Sequence, residues 1–344
     1  MPANSIPVRK LGKDGPSVPA LGFGLMGLSI AYGAVPNDEE RFAILDRAVE
    51  LGATFWDTSD LYGDSEALLG QWFKRTGKRD EIFLATKYGY KGNPLDHIID
   101  SSAKYTKESC EKALKTLGVD CIDLFYIHRA NPDTPIEESM RALVELQAEG
   151  KIKHIGLSSV SAATLRRACK IAPVAAYQTE YSAFVLDVEG SVGENLLATC
   201  RELGVTLVPY SPLGRGLLTS TFSNNELATD EKDMRGNMLP RFQGANRDVN
   251  MKLVNQFKSF ADKKGCSTSQ LALAWLLKQG DDIIPIPGTK KMKYLEDNWG
   301  SLDVHLTDEE EREIRQFVET AEIAGERLPP QYLKGIFVNT REES

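Results

Sequence analysis

The chain has 344 residues, 42% hydrophobic and 26% charged, the proportions of an ordinary globular protein with a sizeable core. Lys and Arg number 41 against 49 Asp and Glu, a net charge of −8, which argues against generic binding to nucleic acid or anionic membranes and leaves room for one local basic pocket. The first residues lack the apolar stretch of a secretory leader and no apolar run approaches the roughly 20 residues of a membrane helix, so a cytoplasmic location is expected.

In chain order, IPVRKLGKDGPSVPA comes first, and its Asp14-Gly15 turn pair predicts a β-hairpin. Eight short, continuously apolar runs follow at 20–24, 54–57, 82–87, 122–128, 152–158, 175–179, 206–210 and 283–287, the pattern of parallel strands buried on both faces. Helix-periodic stretches separate them. The first, 38–51, takes Asn37 or Asp38 as its N-cap and stops before Gly52; 65–75, 106–117 and 136–149 follow, the last two ending at Gly118 and Gly150. Further helices are predicted at 162–171, 194–203, 251–263, 269–278, 295–300 and 307–320, where Thr307 and Glu310 have capping-box spacing. Evenly spaced strand–helix units with right-handed crossovers close into an α/β fold, the (β/α)8 TIM barrel, in preference to an open doubly wound sheet. The hairpin then closes the bottom of the barrel, and the tail after Thr320 folds over its mouth. No linker or low-complexity tract interrupts the chain, so residues 1–344 read as a single domain.

The five cysteines (Cys110, Cys121, Cys169, Cys200, Cys266) are odd in number and form no CxxC, as reduced thiols would be. The histidines (His97, His128, His154, His305) show no HxxxH or HExxH, and no metal site is expected.

In a barrel, chemistry belongs at the carboxyl ends of the strands. The second run ends at Asp57, with Tyr62 in the loop behind it; the third ends at Lys87 and the fourth at His128. These four suit carbonyl reduction. Hydride arriving at a carbonyl carbon leaves charge on oxygen, which an acid must protonate. A free phenol is too weak an acid for that task, and a neighbouring ammonium lowers its pKa. Lys87 can tune Tyr62, Asp57 can hold Lys87 charged, and His128 can orient the substrate oxygen by a hydrogen bond. Taken singly, each has a plain alternative: a loop cap, a packing aromatic, a solvated strand end, a core histidine. Four such accidents on one rim are a poor explanation.

The elements FWDTSDLYG at 55–63, ATK at 85–87, DLFYIHR at 123–129, GLSS at 156–159, QTEYS at 178–182, PYSPLGRG at 209–216 and IPGTK at 286–290 together resemble the aldo-keto reductase superfamily, over about residues 21–309. The His128-Arg129 pair and IPGTKK with DNW look most like microbial and plant NADP-dependent reductases of the auxin-induced or perakine-reductase type. The resemblance implies a catalytic tetrad of Asp57, Tyr62, Lys87 and His128, and a bound NADPH, with NADH less favoured. GxGxxG occurs at 22–27, but no helical pattern follows it directly, so it is not a Rossmann fingerprint. Instead Gly24, Leu25 and Met26 would lie near the nicotinamide end. Ser158, Ser159 and Gln178 would bind its carboxamide, and Tyr210 would stack on its ring. Ser211, Pro212, Leu213, Arg215 and Gly216 would run along the pyrophosphate. Gly288, Thr289 and Lys290 would take the ribose 2′-phosphate, with Tyr294, Asp297 and Asn298 toward adenine. Two positions depart from the family: Ser159 stands where Asn is usual, and Tyr294 where Arg is common, so the NADPH preference rests on Lys290, with Lys293 as a second cation.

Tyr32, Tyr88, Arg129 and Tyr181 are the expected walls of a pocket for a small carbonyl substrate, with the long connections 88–105 and 217–250 around it. Other readings are a Schiff-base lyase using Lys87, which needs a depressed lysine pKa, and a non-catalytic cofactor-sensing subunit.

Overall fold

The computed structural model describes residues 6–92, 98–226 and 231–343; His97 and short stretches of the connections 88–105 and 217–250 lie outside them. Strands β1 (Val8–Lys10) and β2 (Ser17–Pro19) pair antiparallel, Val8 opposite Pro19. Their turn requires glycine: a Cβ on Gly15 would stand 1.7 Å from the Leu11 carbonyl oxygen. Leu11 and Val18 are buried among Phe55, Leu124 and Val208, which line the barrel interior. Thr206 Oγ1 fastens the hairpin, accepting from Gly12 N–H at 2.7 Å and donating to the Lys10 carbonyl at 3.0 Å. The hairpin is thus a plug under the barrel.

Seven strands follow in strict parallel order: β3 (Phe23–Gly24), β4 (Phe55–Asp57), β5 (Phe83–Tyr88), β6 (Ile122–Ile127), β7 (Ile152–Ser158), β8 (Ala176–Glu180) and β9 (Thr206–Tyr210). The eighth expected run closes the ring without being a regular strand. Ile284 and Ile286 donate to Leu207 and Pro209 of β9 at 2.9 and 3.1 Å, while the carbonyls of Pro285 and Pro287 accept from Gly22 and Gly24 at 2.9 and 3.1 Å. The two prolines lack the N–H groups that would face β3, so only half a ladder forms on that side. Interior positions are Phe55, Ala85, Leu124, Tyr126, Ala176, Val208 and Ile284; Trp56, Leu84, Phe125, Leu157 and Leu207 face the helices. The resulting α/β barrel is the expected one.

Six helices alternate with these strands: α1 (Asp38–Glu50), α2 (Ser65–Thr76), α3 (Ala103–Leu117), α4 (Ile136–Ala148), α5 (Ala162–Ile171) and α6 (Leu196–Leu203). Asn37 is the N-cap of α1, accepting from Glu40 N–H at 3.0 Å. The third helix starts three residues before the predicted 106 because Ser102 caps it. After β9 come α7 (Ser220–Ser223), α8 (Met234–Met238), α9 (Gly244–Lys264), α10 (Thr268–Lys278), α11 (Met292–Trp299), α12 (Asp308–Thr320) and α13 (Pro330–Leu333). The predicted start of α9 at 251 misses its first two turns, which carry no apolar periodicity. The expected capping box of α12, Thr307 with Glu310, is formed. The tail runs back along the mouth beside β7. Val338 N–H donates to Ser159 O, Ser161 N–H to Val338 O, and Arg341 N–H to Pro132 O, all at 2.8–2.9 Å. Among the described residues no helix is long and apolar enough to cross a membrane, and no group of three or more His, Cys, Asp or Glu is placed to hold a metal.

Candidate active site

Strands β4, β5 and β6 are neighbours, so their carboxyl ends bring Asp57, Lys87 and His128 to one arc of the rim. The Lys87 side chain is fully buried, and each of its three N–H bonds has an acceptor: Asp57 Oδ1 at 2.6 Å, the Thr58 carbonyl at 2.6 Å and Tyr62 Oη at 3.4 Å. The ammonium also lies 4.7 Å from the centre of the Tyr62 ring. Burial opposes the charge on Lys87, but Asp57 and Tyr62 outweigh it and raise its pKa above the ordinary lysine value. This is the reverse of the free amine a Schiff-base lyase needs. For Tyr62, burial raises the phenol's pKa and Lys87 pulls it down; burial wins, so the hydroxyl keeps its proton with the ammonium beside it. Lys87 therefore acts on the phenol in the expected sense without lowering its pKa below the ordinary value.

His128 is buried, and its imidazole pKa is driven well below the usual value by burial and by the nearby cations Arg129 and Lys87. It is a neutral ring whose Nδ1 lies 3.1 Å from Ser59 Oγ. Tyr62 and Tyr90 meet it edge-on, with ring centroids 5.9 and 5.5 Å away.

The expected cofactor positions lie on the same rim and share a backbone property. Ser159, Ser211, Gly214, Arg215 and Gly216 all have positive φ, between 50° and 102°. Non-glycine residues are held there only by their surroundings; Gly214 N–H donates to the Ser211 carbonyl at 2.9 Å inside the turn, and its glycines let a ligand approach the backbone closely. This curled backbone after β7 and β9 fits a dinucleotide. Leu25 N–H donates to the Asp57 carbonyl at 2.9 Å, which fixes Gly24, Leu25 and Met26 beside the tetrad. A 3₁₀ turn at Met26–Leu28 follows, and α1 starts only at Asp38, so the GxGxxG does not open a helix. Tyr210 ends β9, and Pro212 and Leu213 follow in the turn that the Leu213 carbonyl ties to Gly216 N–H at 3.0 Å.

Several side chains have partners that spacing does not reveal. Gln178 donates its amide N–H to Asp57 Oδ2 at 2.7 Å, so its NH₂ group serves the tetrad. Arg129 donates to Ser159 Oγ at 2.8 Å and Ser158 Oγ at 3.4 Å, which places it beside the two serines as well as at the mouth. Arg215 pairs with the buried Glu180 at 3.2 Å. Lys290 donates to the carbonyls of Tyr32 and Ala34 at 2.5 and 2.7 Å, spanning the groove between the segment after residue 287 and the loop after β3. Thr289 Oγ1 accepts from Lys291 N–H at 3.1 Å and Gly288 pairs with Gly24. Farther along, Tyr294 Oη meets Thr221 Oγ1 at 3.0 Å, Asp297 accepts from Ser267 Oγ at 2.9 Å, and Asn298 is buried.

Two expected pocket walls are elsewhere. Tyr88 is buried on the outer face of β5, its hydroxyl 2.6 Å from Thr106 Oγ1 and its ring stacked on Phe125. Tyr181 is buried against Trp275, with its hydroxyl on Glu189. Strand alternation explains both: Lys87 and Gln178 point inward, so residues one and three positions on point outward. Tyr32 stays at the mouth beneath the Arg235 guanidinium, 5.2 Å from its ring centre. Residues missed from sequence are Ser59, Asp60 and Tyr90 around His128, and Glu180. Their polar or aromatic character directly after strand ends was the available signal.

Residues 20–319 match the family model described as "Aldo/keto reductase family". The chain belongs to the aldo/keto reductase family. It is 47% identical over 342 residues to "Aldo-keto reductase yakc [NADP(+)]" of Schizosaccharomyces pombe, with 98% of each chain covered. It is 48% identical over 327 residues to aldo-keto reductase str7 of Strobilurus tenacellus, covering 94% of this chain and 95% of that one. Among solved structures, the glycerol dehydrogenase of Gluconobacter oxydans superimposes with a TM-score of 0.79 at 26% identity, over 94% of this chain and 97% of that one. A thermostable aldo-keto reductase in complex with the inhibitor epalrestat gives 0.71 at 28% identity, over 91% and 100%. This family member is therefore an oxidoreductase of small carbonyl compounds built on the barrel described above.

Proposed function

We propose that the chain reduces an aldehyde or ketone to the alcohol with NADPH, Tyr62 serving as general acid. The carrying observation is the Lys87 ammonium held between Asp57 at 2.6 Å and the Tyr62 hydroxyl at 3.4 Å. The nicotinamide supplies the hydride when bound. The chain's own residues do the rest. Tyr62 holds a proton at Oη for the oxygen that gains charge, and Lys87 stabilises the phenolate left behind. Asp57, oriented by Gln178, keeps Lys87 charged. His128 offers a ring nitrogen to the same oxygen. Asp57, Lys87 and His128 are buried, and the exclusion of water around them strengthens their interactions with the half-buried Tyr62.

Ser158, Ser159 and Gln178 are the groups for a carboxamide, Tyr210 for the ring, and the backbone from Ser211 to Gly216 for the pyrophosphate. Lys290, with Thr289 and Lys293, is the cation for a ribose 2′-phosphate. The NADP(+) in the name of the fission-yeast relative supports this cofactor. We place the protein in the cytoplasm.

The test is oxidation of NADPH and, in parallel, NADH, followed at their absorbance maximum, with a panel of aromatic aldehydes, ketones, quinones and pyridoxal. Turnover with NADPH exceeding NADH is expected. Tight cofactor binding without turnover of any carbonyl would favour a sensing role.

A further inference from the structure

His128 is linked through the buried Ser59 hydroxyl to the half-buried Asp60 carboxyl, two groups that the reaction scheme above does not use. Ser59 Oγ lies 3.1 Å from His128 Nδ1 and 3.2 Å from Asp60 Oδ1, and it accepts from Leu61 N–H at 3.1 Å. A serine hydroxyl has one proton. With the Leu61 amide already donating to it, Ser59 has one acceptor site and one donor site left for two neighbours. If Asp60 is ionised it can only accept, so Ser59 donates to Asp60 and Nδ1–H of His128 donates to Ser59. The Nε2 of a neutral ring is then bare. If Asp60 holds a proton it donates to Ser59, Ser59 donates to Nδ1, and Nε2 carries the proton.

We propose that Asp60 is a positioning residue that acts through Ser59 to set the tautomer of His128, so that an Nε2–H faces the substrate oxygen only while the Asp60 carboxyl is protonated. No bond to the substrate changes in this step; the same protons are shared differently along the chain. The proposal rests on carbonyl reduction only for its kinetic consequence. A hydride-accepting carbonyl needs a donor at Nε2, whereas the bare nitrogen suits an alcohol hydroxyl. Burial lifts the Asp60 carboxyl to about 6, against the pull of Ser59, Lys112, Lys87 and the Leu61 amide. The other groups facing it are Glu66 on α2, itself pushed up partly by Asp60, and Tyr105 on α3. Lys112 belongs to α3 and Lys87 to β5.

The experiment is nitrogen NMR of histidine-labelled protein between pH 5 and 8, with the His128 signals identified from the His128→Gln variant. The protonated and bare nitrogens are expected to exchange places as pH rises through about 6 in the wild type, and to stay fixed in Asp60→Asn and in Ser59→Ala. Asp60→Glu restores the exchange, and Glu66→Gln retains it. Carbonyl reduction falls about tenfold per pH unit above the same midpoint in the wild type, and not in Asp60→Asn. A tautomer that does not change in the wild type, or an exchange that survives in Asp60→Asn or vanishes in Glu66→Gln, overturns the proposal. Because the NMR readout needs no turnover, an intact exchange in a protein that reduces no carbonyl would sink the reductase reading alone.

Discussion

A single buried ammonium carries the electrostatics of this site. Lys87 has no exposed surface, and its three N–H bonds are directed at Asp57, the Thr58 carbonyl and Tyr62. Removing only the phenolic oxygen tests this without disturbing the ion pair. Tyr62→Phe is expected to lower kcat by about 10² to 10⁴, the usual contribution of a positioned acid, while the fluorescence-titrated affinity for NADPH changes little. Wild-type turnover in that variant would remove the assignment. A second residue makes a stability prediction. Glu66 is buried and accepts from Thr86 at 2.7 Å; burial lifts its carboxyl from the usual 4.5 to about 7. The folded state then binds more protons than the unfolded chain between those two values, so this group's contribution to stability falls as pH rises across that window. Glu66→Gln abolishes the dependence. Urea unfolding at pH 4.5 and pH 7.5 is expected to show the variant gaining up to about 3 kcal/mol on the wild type over this range. A constant difference would show that Glu66 is ionised in the fold.

Among the elements, the most exacting is the irregular closing segment. Its alternating prolines leave only half a ladder toward β3, so the join depends on close approach at one place. A Cβ on Gly288 would stand 2.5 Å from the Gly24 carbonyl oxygen, a backbone atom that cannot swing aside. Gly288→Ala is expected to cost about 1–3 kcal/mol, read as a lower urea midpoint at unchanged slope, and to weaken cofactor binding because Gly24 and Thr289 lie on either side of the displaced contact. The helices tolerate far more. Their caps at Asn37, Ser102, Ser161, Ser267 and Thr307 are local pairs, of which Asn37 and Thr307 were expected from spacing.

At the scale of the whole molecule, both ends of the chain act on the barrel. The amino-terminal hairpin plugs the bottom. The carboxyl-terminal tail fastens the top: Arg327 pairs with Asp187 at 3.0 Å, Val338 pairs with the segment after β7, and Arg167 donates to the Thr340 carbonyl at 2.7 Å. The tail expected to fold over the mouth lies along its edge and reaches Arg129, whose Nε would be 3.8 Å from a Cβ at Gly335. Truncation after residue 326 is expected to lower Tm by roughly 5 °C or more in scanning calorimetry. It should also raise KM for the carbonyl compound more than it changes kcat. An unchanged Tm would mean that the tail adds no packing energy.

Strand order, helix caps and the residues at strand ends were legible because each depends on chemistry within a few positions. Apolar runs must be buried on both faces, a Gly after a helical stretch permits the left-handed exit, and a parallel barrel puts every strand's carboxyl end on one rim. The outward direction of Tyr88 and Tyr181 was written in the same strand parity that sends Lys87 and Gln178 inward. What no spacing contains is the partner of a long polar side chain. Gln178 could serve a ligand or Asp57, Arg215 a phosphate or Glu180, Lys290 a phosphate or the carbonyls of Tyr32 and Ala34. Those choices are made across 35 to 258 residues of chain, by whichever groups the closed barrel brings within about 3 Å. Only the tertiary structure decides them, because a hydrogen bond depends on distance and direction in space, while a sequence orders its residues along one line.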